Sequence, residues 1–390
     1  MSVAGSQAQT FLRLLQPLQA RWLSDPALPR TLQSLLAAER RFGSRDRRLY
    51  RELIYTTLRY LPWIEPSLAT APDEALRRVA WLAADIPATR LFRAEFATGE
   101  PPAGNATELL PAWFRDHGPE LFVSPEAETQ LRRAPLWLRL QTDEAGRAQT
   151  FAEFAARGWE CRPSALLPDA LEVRTEADVT QTESWRAGRV EVQDLGSQLL
   201  LEAAGIDRGE HWLDACAGAG GKTLQLARLL GPEGQVDAHD IRKAALDELK
   251  IRTTRARLRN IRVVTAAPPA TYAGVLVDAP CSGSGTWRRS PHLKWTTTPA
   301  TIAEKAALQT TLLARFAPAV RAGGRLIYAT CSLSRQENEH VVAAFLRQQP
   351  DFAPAPFRST FGFEVRGGGL TLLPSRHDTD GFFVAVLRRR

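Results

Sequence analysis

Long hydrophobic runs are missing from this 390-residue chain. No apolar stretch approaches the roughly 20 residues of a membrane-spanning helix. The first residues also lack the charged segment, apolar core and cleavage site of a secretory signal. These absences predict a cytoplasmic protein without a membrane partner. Because 44% of the residues are hydrophobic, the chain can form two or three domains, each with a core of its own.

Cysteine is also scarce. The four cysteines, Cys161, Cys216, Cys281 and Cys331, do not have the spacing of metal ligands, so neither a disulfide scaffold nor a metal site is predicted. Arginine far outnumbers lysine, and the formal net charge is +7. A positive surface is compatible with a polyanionic partner but does not require one.

The first 100 residues predict an all-helical domain. Apolar residues recur there at spacings of three and four, and prolines and glycines separate the segments. A cluster of arginines in this region could be a phosphate-contacting face or only a solvated one. Its members are Arg45, Arg47, Arg48 and Arg51.

A change in composition marks the end of this helical region. Residues 98–111 are rich in proline and glycine and predict a linker. Strand, helix and strand patterns between about residues 135 and 186 predict a small α+β unit. The predicted domains are therefore residues 1–100, 101–186 and 187–390.

The last predicted domain alternates strand and helix from about Val190 onwards. This alternation predicts an α/β fold with a parallel, doubly wound, Rossmann-like sheet. Ligands of such sheets bind at the carboxyl ends of the strands. Three polar motifs follow apolar runs at these positions: DACAGAGGKT, VDAPCSGSG and YATCS.

The first motif predicts a nucleotide-cofactor loop, because Asp214 closes an apolar run and Gly218 to Gly221 open a helix near Lys222. A phosphate-loop NTPase would need a glycine where Cys216 stands. A nicotinamide-binding loop would not explain the acid before the glycines. An S-adenosylmethionine site explains that acid better.

In an S-adenosylmethionine site, the glycine loop lies against the methionine portion of the cofactor. An acid after the next strand, here Asp240, accepts hydrogen bonds from the ribose hydroxyls. Asp240 could instead be an ordinary helix N-cap that follows a strand.

The other two motifs place Cys281 and Cys331 at strand ends, which suggests covalent chemistry. Carbon 5 of a pyrimidine is a poor nucleophile, so its methylation requires a thiolate to add to carbon 6 first. A second thiol or another base then removes the carbon 5 proton, and an acid such as Asp278 can hold the ring. The alternative is that both cysteines are small core residues.

These three motifs resemble the signature motifs of the RsmB/Nop/Sun family of RNA (cytosine-5) methyltransferases. The resemblance extends through VQDLGSQLL, with Gln193, Asp194 and Ser197, to DGFFVAVL near the end of the sequence. It implies a Rossmann-like class I methyltransferase domain at 187–390 and a small RNA-binding α+β domain at 101–186. The helices of residues 1–100 resemble the NusB-like domain of the RsmB-like branch.

The resemblance also assigns roles to individual residues. It implies Cys331 as the nucleophile, Cys281 as the helper in product release, and Asp278 with Pro280 at the base pocket. Lys222 is expected near cofactor and base. The implied cofactor-binding residues are Asp214, Cys216, Ala217, Gly218, Ala219, Gly220, Gly221, Lys222, Asp240 and Asp278. Arg288, Arg289 and Lys294 are expected to contact RNA phosphate or to support the pocket.

Three positions depart from the family's pattern. Gly218-Ala219 replaces Ala-Pro, which predicts a more flexible loop. The aspartate expected near the adenine amino group is missing, because residues 265–267 are Thr-Ala-Ala. Pro291-His292 replaces Pro-Asp, and His292 is then either a solvated loop residue or a changed base-pocket contact.

The sequence therefore predicts an S-adenosylmethionine-dependent methyltransferase that acts on carbon 5 of a cytosine in RNA, with small-subunit rRNA favoured as substrate. A tRNA methyltransferase is the nearest alternative. A degenerate RNA-binding protein of the same fold and a nicotinamide-dependent thiol oxidoreductase are less favoured. We expect a monomer without a bound metal.

Overall fold

The computed structural model of the protein describes residues 2–269 and 271–390. The chain divides into two compact units. One unit contains the chain up to Arg133 together with Thr286–Pro299, and the other contains Ala134–Gly285 together with Ala300–Arg390. None of the helices in the described residues is long and apolar enough to cross a membrane.

The first unit is helical, as the three and four spacing predicts. Buried side chains such as Phe11, Ile64 and Phe92, each 0% exposed, form its core. Its helices are α1 Val3–Gln19, α2 Leu28–Ala38, α3 Ser44–Arg59, α4 Leu61–Thr70, α5 Pro72–Leu82, α6 Arg90–Phe96 and α7 Glu126–Thr129. Short 3-10 helices cover Ala106–Leu109, Ala112–Asp116 and Pro119–Phe122, so the predicted linker includes a helical turn.

The second unit begins with a small antiparallel sheet, which confirms the predicted strand, helix and strand after residue 134. Its elements are β1 Leu136–Leu140, α8 Glu144–Ala156, β2 Cys161–Pro163, β3 Ala170–Val173, α9 Glu183–Arg186 and β4 Val190–Val192, with a 3-10 turn at Val179–Gln181. The strand order is β2-β3-β1-β4. Strand β4 lies beyond the predicted boundary at residue 186 and completes this sheet, because Leu138 pairs with Val192.

The larger sheet confirms the Rossmann-like α/β prediction. Its strands are β5 His211–Asp214, β6 Gln235–Ala238, β7 Ile261–Val263, β8 Tyr272–Asp278, β9 Val320–Thr330, β10 Phe352–Pro354, β11 Val365–Arg366, β12 Gly369–Leu372 and β13 Phe382–Arg389. The order is β11-β12-β13-β9-β8-β5-β6-β7, and β10 pairs with β13. Strands β5 to β9 are parallel, and β13 runs antiparallel to β9.

Helices connect and cover these strands. They are α10 Leu195–Ala204, α11 Gly221–Leu230, α12 Lys243–Arg255, α14 Pro299–Phe316, α15 Glu339–Gln348 and α16 Pro374–His377, while α13 Leu293–Thr296 belongs to the helical unit. Successive residues of β8 face opposite sides of the sheet, so Leu276 and Val275 pack in two different core clusters. Burial on both faces is typical of parallel sheets.

The register of the central strands aligns their carboxyl ends. Asp214 at the end of β5 is opposite Leu276, and Asp278 at the end of β8 is opposite Ala329. The loops after β5, β8 and β9 therefore begin at one edge of the sheet. The three predicted motifs occupy these loops, as the rule for ligand sites in open α/β sheets requires.

The segment Thr286–Pro299 differs from the sequence-based expectation, because it packs in the helical unit. Lys294 is 1% exposed, and its Nζ donates to the carbonyl oxygens of Arg59 at 2.8 Å and Leu109 at 3.0 Å. Arg288 is also 1% exposed and donates to the Arg133 carbonyl at 3.3 Å. Neither buried side chain is a solvent-facing phosphate contact.

His292 is 4% exposed, and burial lowers its pKa. The interpretation of His292 as a solvated loop residue is therefore wrong. Its ring lies among the apolar side chains of the helical unit, including Leu18 and Leu58.

Candidate active site

The loop after β5 requires glycine at two positions. Gly218 has φ 54° and Gly220 has φ 91°, in the left-handed region that favours glycine. A Cβ on Gly220 would also lie 2.2 Å from Leu249 Cδ1, so the loop packs closely on α12. At Gly221, where α11 begins, a Cβ would meet nothing within 4 Å. The loop is thus fixed on its inner side and open at the helix N-terminus.

Asp214 supplies a buried acid beneath this loop. It is 1% exposed, and Thr223 Oγ1 donates to its Oδ2 at 2.7 Å. Burial raises the pKa of Asp214 to about 7. The Cys216 amide lowers that pKa slightly, but no group among the described residues completes a hydrogen bond to the buried Oδ1. An unsatisfied carboxyl oxygen here fits the ammonium group of the methionine portion of S-adenosylmethionine.

Asp240, the predicted ribose ligand, follows β6 and contacts the glycine loop. Its Oδ2 accepts a hydrogen bond from the Gly218 amide at 2.8 Å. The amide and the guanidinium of Arg242 also donate to its two oxygens. Burial opposes the charge on Asp240, but the hydrogen bonds from Arg242 and Gly218 lower its pKa below the ordinary value.

Arg242, whose side chain is 66% exposed, therefore occupies part of the acceptor capacity of both Asp240 oxygens. Between these two residues, Ile241 is 85% exposed. An exposed apolar side chain can pack against the flat face of a nucleobase. The sequence interpretation did not include Ile241, although an isoleucine directly after the predicted acid was a visible signal.

The remaining loop residues contribute mainly through their backbones. The Ala217 amide donates to the His239 carbonyl at 2.9 Å, and the Ala219 carbonyl accepts from Arg252 Nη1 at 2.8 Å. Burial raises the pKa of the Cys216 thiol far above its ordinary value, so this cysteine stays protonated.

The two strand-end cysteines are adjacent. Cys281 lies three residues after β8, Cys331 lies one residue after β9, and their Sγ atoms are 3.3 Å apart. The Gly285 amide donates to the Cys331 carbonyl at 3.0 Å, which joins the two loops through their backbones. Both cysteines are partly exposed and neither forms a disulfide. The two sulfur atoms therefore lie in contact at the same edge of the sheet, as the sequence predicts.

Lys222 and Asp278 form an ion pair at the same edge of the sheet. Lys222 Nζ lies 2.9 Å from Asp278 Oδ2, and the side chains are 10% and 30% exposed. Burial works against the ammonium, but the charge of Asp278 and its hydrogen bond outweigh burial, so the pKa of Lys222 is raised. The negative form of Cys331 also favours this ammonium, which links the ion pair to the sulfur pair.

A buried carboxyl group, Glu337, connects the two cysteine loops. It accepts hydrogen bonds from Ser282, which follows Cys281, and from Ser332, which follows Cys331. Glu337 follows Cys331 closely in the sequence, but no role was predicted for it. Recognising it requires the three-dimensional proximity of loops 50 residues apart.

Arg139 was also missed. It lies on β1 of the small sheet, is 3% exposed, and its Nη1 donates to the Gly221 carbonyl at 3.1 Å and to Gln193. Gln193 in turn donates to Gln225 of α11 at 2.9 Å. Burial lowers the pKa of Arg139 to about 9. This arginine connects the small sheet directly to the cofactor loop.

Two further observations concern possible ligands. No cluster of three or more His, Cys, Asp or Glu residues that could hold a metal ion occurs in the part of the chain that the structure describes. After β7, residues 265–267 carry no carboxylate. An adenine at this position would therefore have no acidic side chain from these residues to accept its amino group.

Comparison with known proteins gives a consistent match. The family described as 16S rRNA methyltransferase RsmB/F matches residues 202–388. The chain is 34% identical over 275 residues to the "Probable ribosomal RNA small subunit methyltransferase B" of Bacillus subtilis, covering 65% of this chain and 59% of that protein. It is 33% identical over 309 residues to "Ribosomal RNA small subunit methyltransferase B" of Citrobacter koseri, covering 76% of this chain and 69% of that protein.

The chain thus spans 59% and 69% of the lengths of these two relatives. Among solved structures, the protein described as PH0851 is similar over 100% of both chains, with a TM-score of 0.77 and 22% identity. At this identity the likeness supports the fold.

Proposed function

This chain belongs to the RsmB/F family of methyltransferases, and we propose that it methylates carbon 5 of a cytosine in RNA, with small-subunit rRNA as the favoured substrate. The methyl donor of this class of enzyme is S-adenosylmethionine. The relatives are named for small-subunit rRNA, which favours that substrate over tRNA.

The observation that carries the proposal is the 3.3 Å separation of the Cys281 and Cys331 sulfurs beside the Lys222–Asp278 ion pair. Methyl transfer to an oxygen or an amino nitrogen needs no thiol, because these atoms have a lone pair to donate. Carbon 5 of cytosine has none, so a nucleophile must first add at carbon 6. A second sulfur within contact distance supports a two-cysteine mechanism of this kind.

In the proposed reaction, the Cys331 thiolate adds to carbon 6, and the carbon 5–carbon 6 π electrons become available at carbon 5. Asp278 and Lys222 stabilise the charge that develops on the ring. When bound, S-adenosylmethionine would supply an electrophilic methyl group, and carbon 5 would form a bond to that carbon as the sulfur–methyl bond breaks and S-adenosylhomocysteine leaves. A base then removes the carbon 5 proton, the double bond forms again, and Cys331 leaves as a thiolate. Cys281 is the proposed base.

We assign cofactor binding to the same residues as the sequence does. Asp214 would hold the ammonium group, which its unsatisfied Oδ1 supports. The backbone of residues 216–221 would lie along the methionine portion, and Asp240 would accept the ribose hydroxyls. Ile241 would pack on the adenine in place of a polar contact from residues 265–267.

The predicted domain roles remain part of the proposal. The helical residues 1–100 and the small α+β domain at 101–186 would select the RNA, and residues 187–390 would carry the catalytic site. The hydrogen bond from Arg139 to Gly221 supports a coupling between the small sheet and the cofactor loop. A monomer in the cytoplasm is proposed on the same basis as in the sequence analysis.

Transfer of labelled methyl groups to RNA tests this function. Purified protein and labelled S-adenosylmethionine would be incubated separately with unmodified small-subunit rRNA and with tRNA, followed by nucleoside mass spectrometry. The proposal expects 5-methylcytosine in the rRNA. 5-Methylcytosine only in the tRNA would support the tRNA alternative, and RNA binding without any transfer would support the degenerate RNA-binding protein.

A further inference from the structure

Glu337 is fully buried and lies two residues before α15. Its Oε1 accepts from the Ser282 amide at 2.8 Å and from Gln309 Nε2 at 3.1 Å. Its Oε2 accepts from Ser282 Oγ at 2.5 Å and from Ser332 Oγ at 2.6 Å. Four donors on two oxygens suit an ionised carboxylate, whose oxygens only accept hydrogen bonds.

These hydrogen bonds hold the two cysteine loops against each other. Ser282 directly follows Cys281, and Ser332 directly follows Cys331. Gln309 Nε2 also donates to the Pro280 carbonyl at 3.0 Å, on the other side of Cys281. One side chain therefore contacts the backbone or the following serine beside each of the two cysteines, whose sulfurs are 3.3 Å apart.

The charges around the sulfur pair are of opposite sign. Lys222 interacts electrostatically with Cys331, whereas the charge of Glu337 acts on Cys281. Uncharged groups of Ser282, Gln309 and Ser332 donate to the two Glu337 oxygens. The negative charge of Glu337 near Cys281 favours the thiol form of that cysteine.

We propose that Glu337 is a positioning residue that fixes the two sulfurs in contact and keeps Cys281 as a thiol while Cys331 acts as the nucleophile. This inference rests on the proposed function, because the two sulfurs need different protonation states only if one is the nucleophile and the other acts later. Glu337 does not touch the reacting atoms and acts through the two cysteine loops.

The electrostatics of Cys281 support this assignment. Its hydrogen bond to Cys331, its burial and the charges of Cys331 and Glu337 raise the pKa of Cys281 well above the ordinary value. Two thiolates in contact would repel each other, so Cys281 keeps its proton when Cys331 acts as the nucleophile. The Cys281 thiol can then donate its hydrogen bond to the Cys331 thiolate.

The proposed reaction needs only one of the two cysteines, Cys281 or Cys331, to be a thiolate at any step. Addition to carbon 6 converts the Cys331 thiolate into a neutral thioether. The Cys281 proton can then pass to water, and the Cys281 thiolate takes the carbon 5 proton while Cys331 leaves as a thiolate. The pair returns to its starting state, and one proton is released per methyl group transferred.

Alkylation of Cys281 with iodoacetamide as a function of pH tests the charge effect of Glu337. The measurement uses Cys331→Ala protein, with and without Glu337→Gln, and peptide mass spectrometry to quantify modified Cys281. Glutamine keeps the shape of the side chain but removes its charge. We therefore expect the pH at which Cys281 alkylation is half-maximal to fall by about one pH unit. Labelling of Cys161, on the small sheet, provides an internal standard.

Glu304→Gln in the same background is the matched control, because Glu304 lies on α14 and is 76% exposed. It should leave the Cys281 midpoint unchanged. An equal midpoint in the Glu337→Gln and parent proteins would overturn the charge effect. An equal shift in the Glu304→Gln control would also overturn it, since a remote charge would then act as strongly.

Glu337→Asp separates position from charge. Aspartate keeps the charge but is one methylene shorter and cannot hold both serine loops, so RNA methylation should fall by about tenfold or more while S-adenosylmethionine binding stays intact. Wild-type kcat for this variant would overturn the positioning role. If wild-type protein methylates no RNA, the proposed function fails, whereas the alkylation result still reports on Glu337.

Discussion

At the scale of single residues, the site is governed by carboxyl groups in unlike environments. Asp214 is buried with one oxygen unsatisfied, Asp240 is held by donors, and Asp278 pairs with Lys222. All three were proposed from the sequence because Asp214 and Asp278 end apolar runs and Asp240 follows one. The sequence could not predict the environment of each carboxyl group, because its burial and its hydrogen-bond partners depend on residues far apart in the chain.

Asp240→Asn should weaken S-adenosylmethionine binding. The substitution keeps the size of the side chain but replaces a charged acceptor, and a hydrogen bond to a charged group contributes about 1.5–3 kcal/mol. Calorimetry should show an affinity about 10- to 100-fold lower. Asp247→Asn, at a 51% exposed position on α12, is the matched control. Equal affinities for wild type and Asp240→Asn would remove Asp240 from the cofactor site.

Asp214 should make the stability of the cofactor-free protein depend on pH. Its pKa is raised to about 7 in the folded protein, so the folded state binds more protons than the unfolded state between about pH 4 and 7. The free energy of unfolding should therefore rise by about 2 kcal/mol from pH 7 to pH 5, relative to Asp214→Asn. Denaturant unfolding at both pH values measures it. Parallel pH profiles for the two proteins would contradict the assigned environment.

At the scale of elements, alternation along the sequence was enough to predict the larger sheet. Its strands are apolar runs that end in Asp214, Asp278 and Thr330, and the helices between them carry their own periodicity. The pairing of the strands was harder to predict. Strand β4 joins the small sheet, although it follows the predicted boundary, because pairing with β1 depends on residues 50 positions earlier.

The placement of α13 shows the same limit. Lys294 was expected to contact RNA phosphate or to support the pocket, but it is buried in the helical unit. Its local sequence carries two arginines and a lysine, which is typical of a surface. The Lys294 side chain instead donates hydrogen bonds to the backbone carbonyls of Arg59 and Leu109. Acceptors so distant in the chain cannot be predicted from a sequence pattern.

Lys294 provides a test at this scale. Burial lowers its pKa well below the ordinary value, so above that lowered pKa the unfolded state binds more protons than the folded state. As pH rises towards 10, wild type should gain up to about 1.4 kcal/mol of stability per pH unit relative to Lys294→Met. Lys250→Met, 61% exposed on α12, should behave like wild type in the same unfolding series. No relative gain for wild type would contradict a buried Lys294 with a lowered pKa.

At the scale of the whole molecule, the net charge of +7 agrees with an RNA partner but does not locate the contact. The predicted arginine face lies on α3, where Arg48 and Arg51 are exposed and Arg47 is half-buried. If this face contacts phosphates, Arg47→Glu with Arg48→Glu should weaken RNA binding. The slope of log affinity against log salt should fall by about 1.5–2. An unchanged slope would remove the face from the RNA site.

The central claim is a covalent bond between Cys331 and the target cytosine that Cys281 helps to break. The most direct measurement is denaturing gel electrophoresis of protein with labelled rRNA and S-adenosylmethionine, comparing wild type, Cys281→Ala and Cys331→Ala. We predict that Cys281→Ala accumulates a protein–RNA adduct and that Cys331→Ala forms neither adduct nor methylated RNA. An adduct that persists in Cys331→Ala, or full methylation without Cys331, would contradict the account.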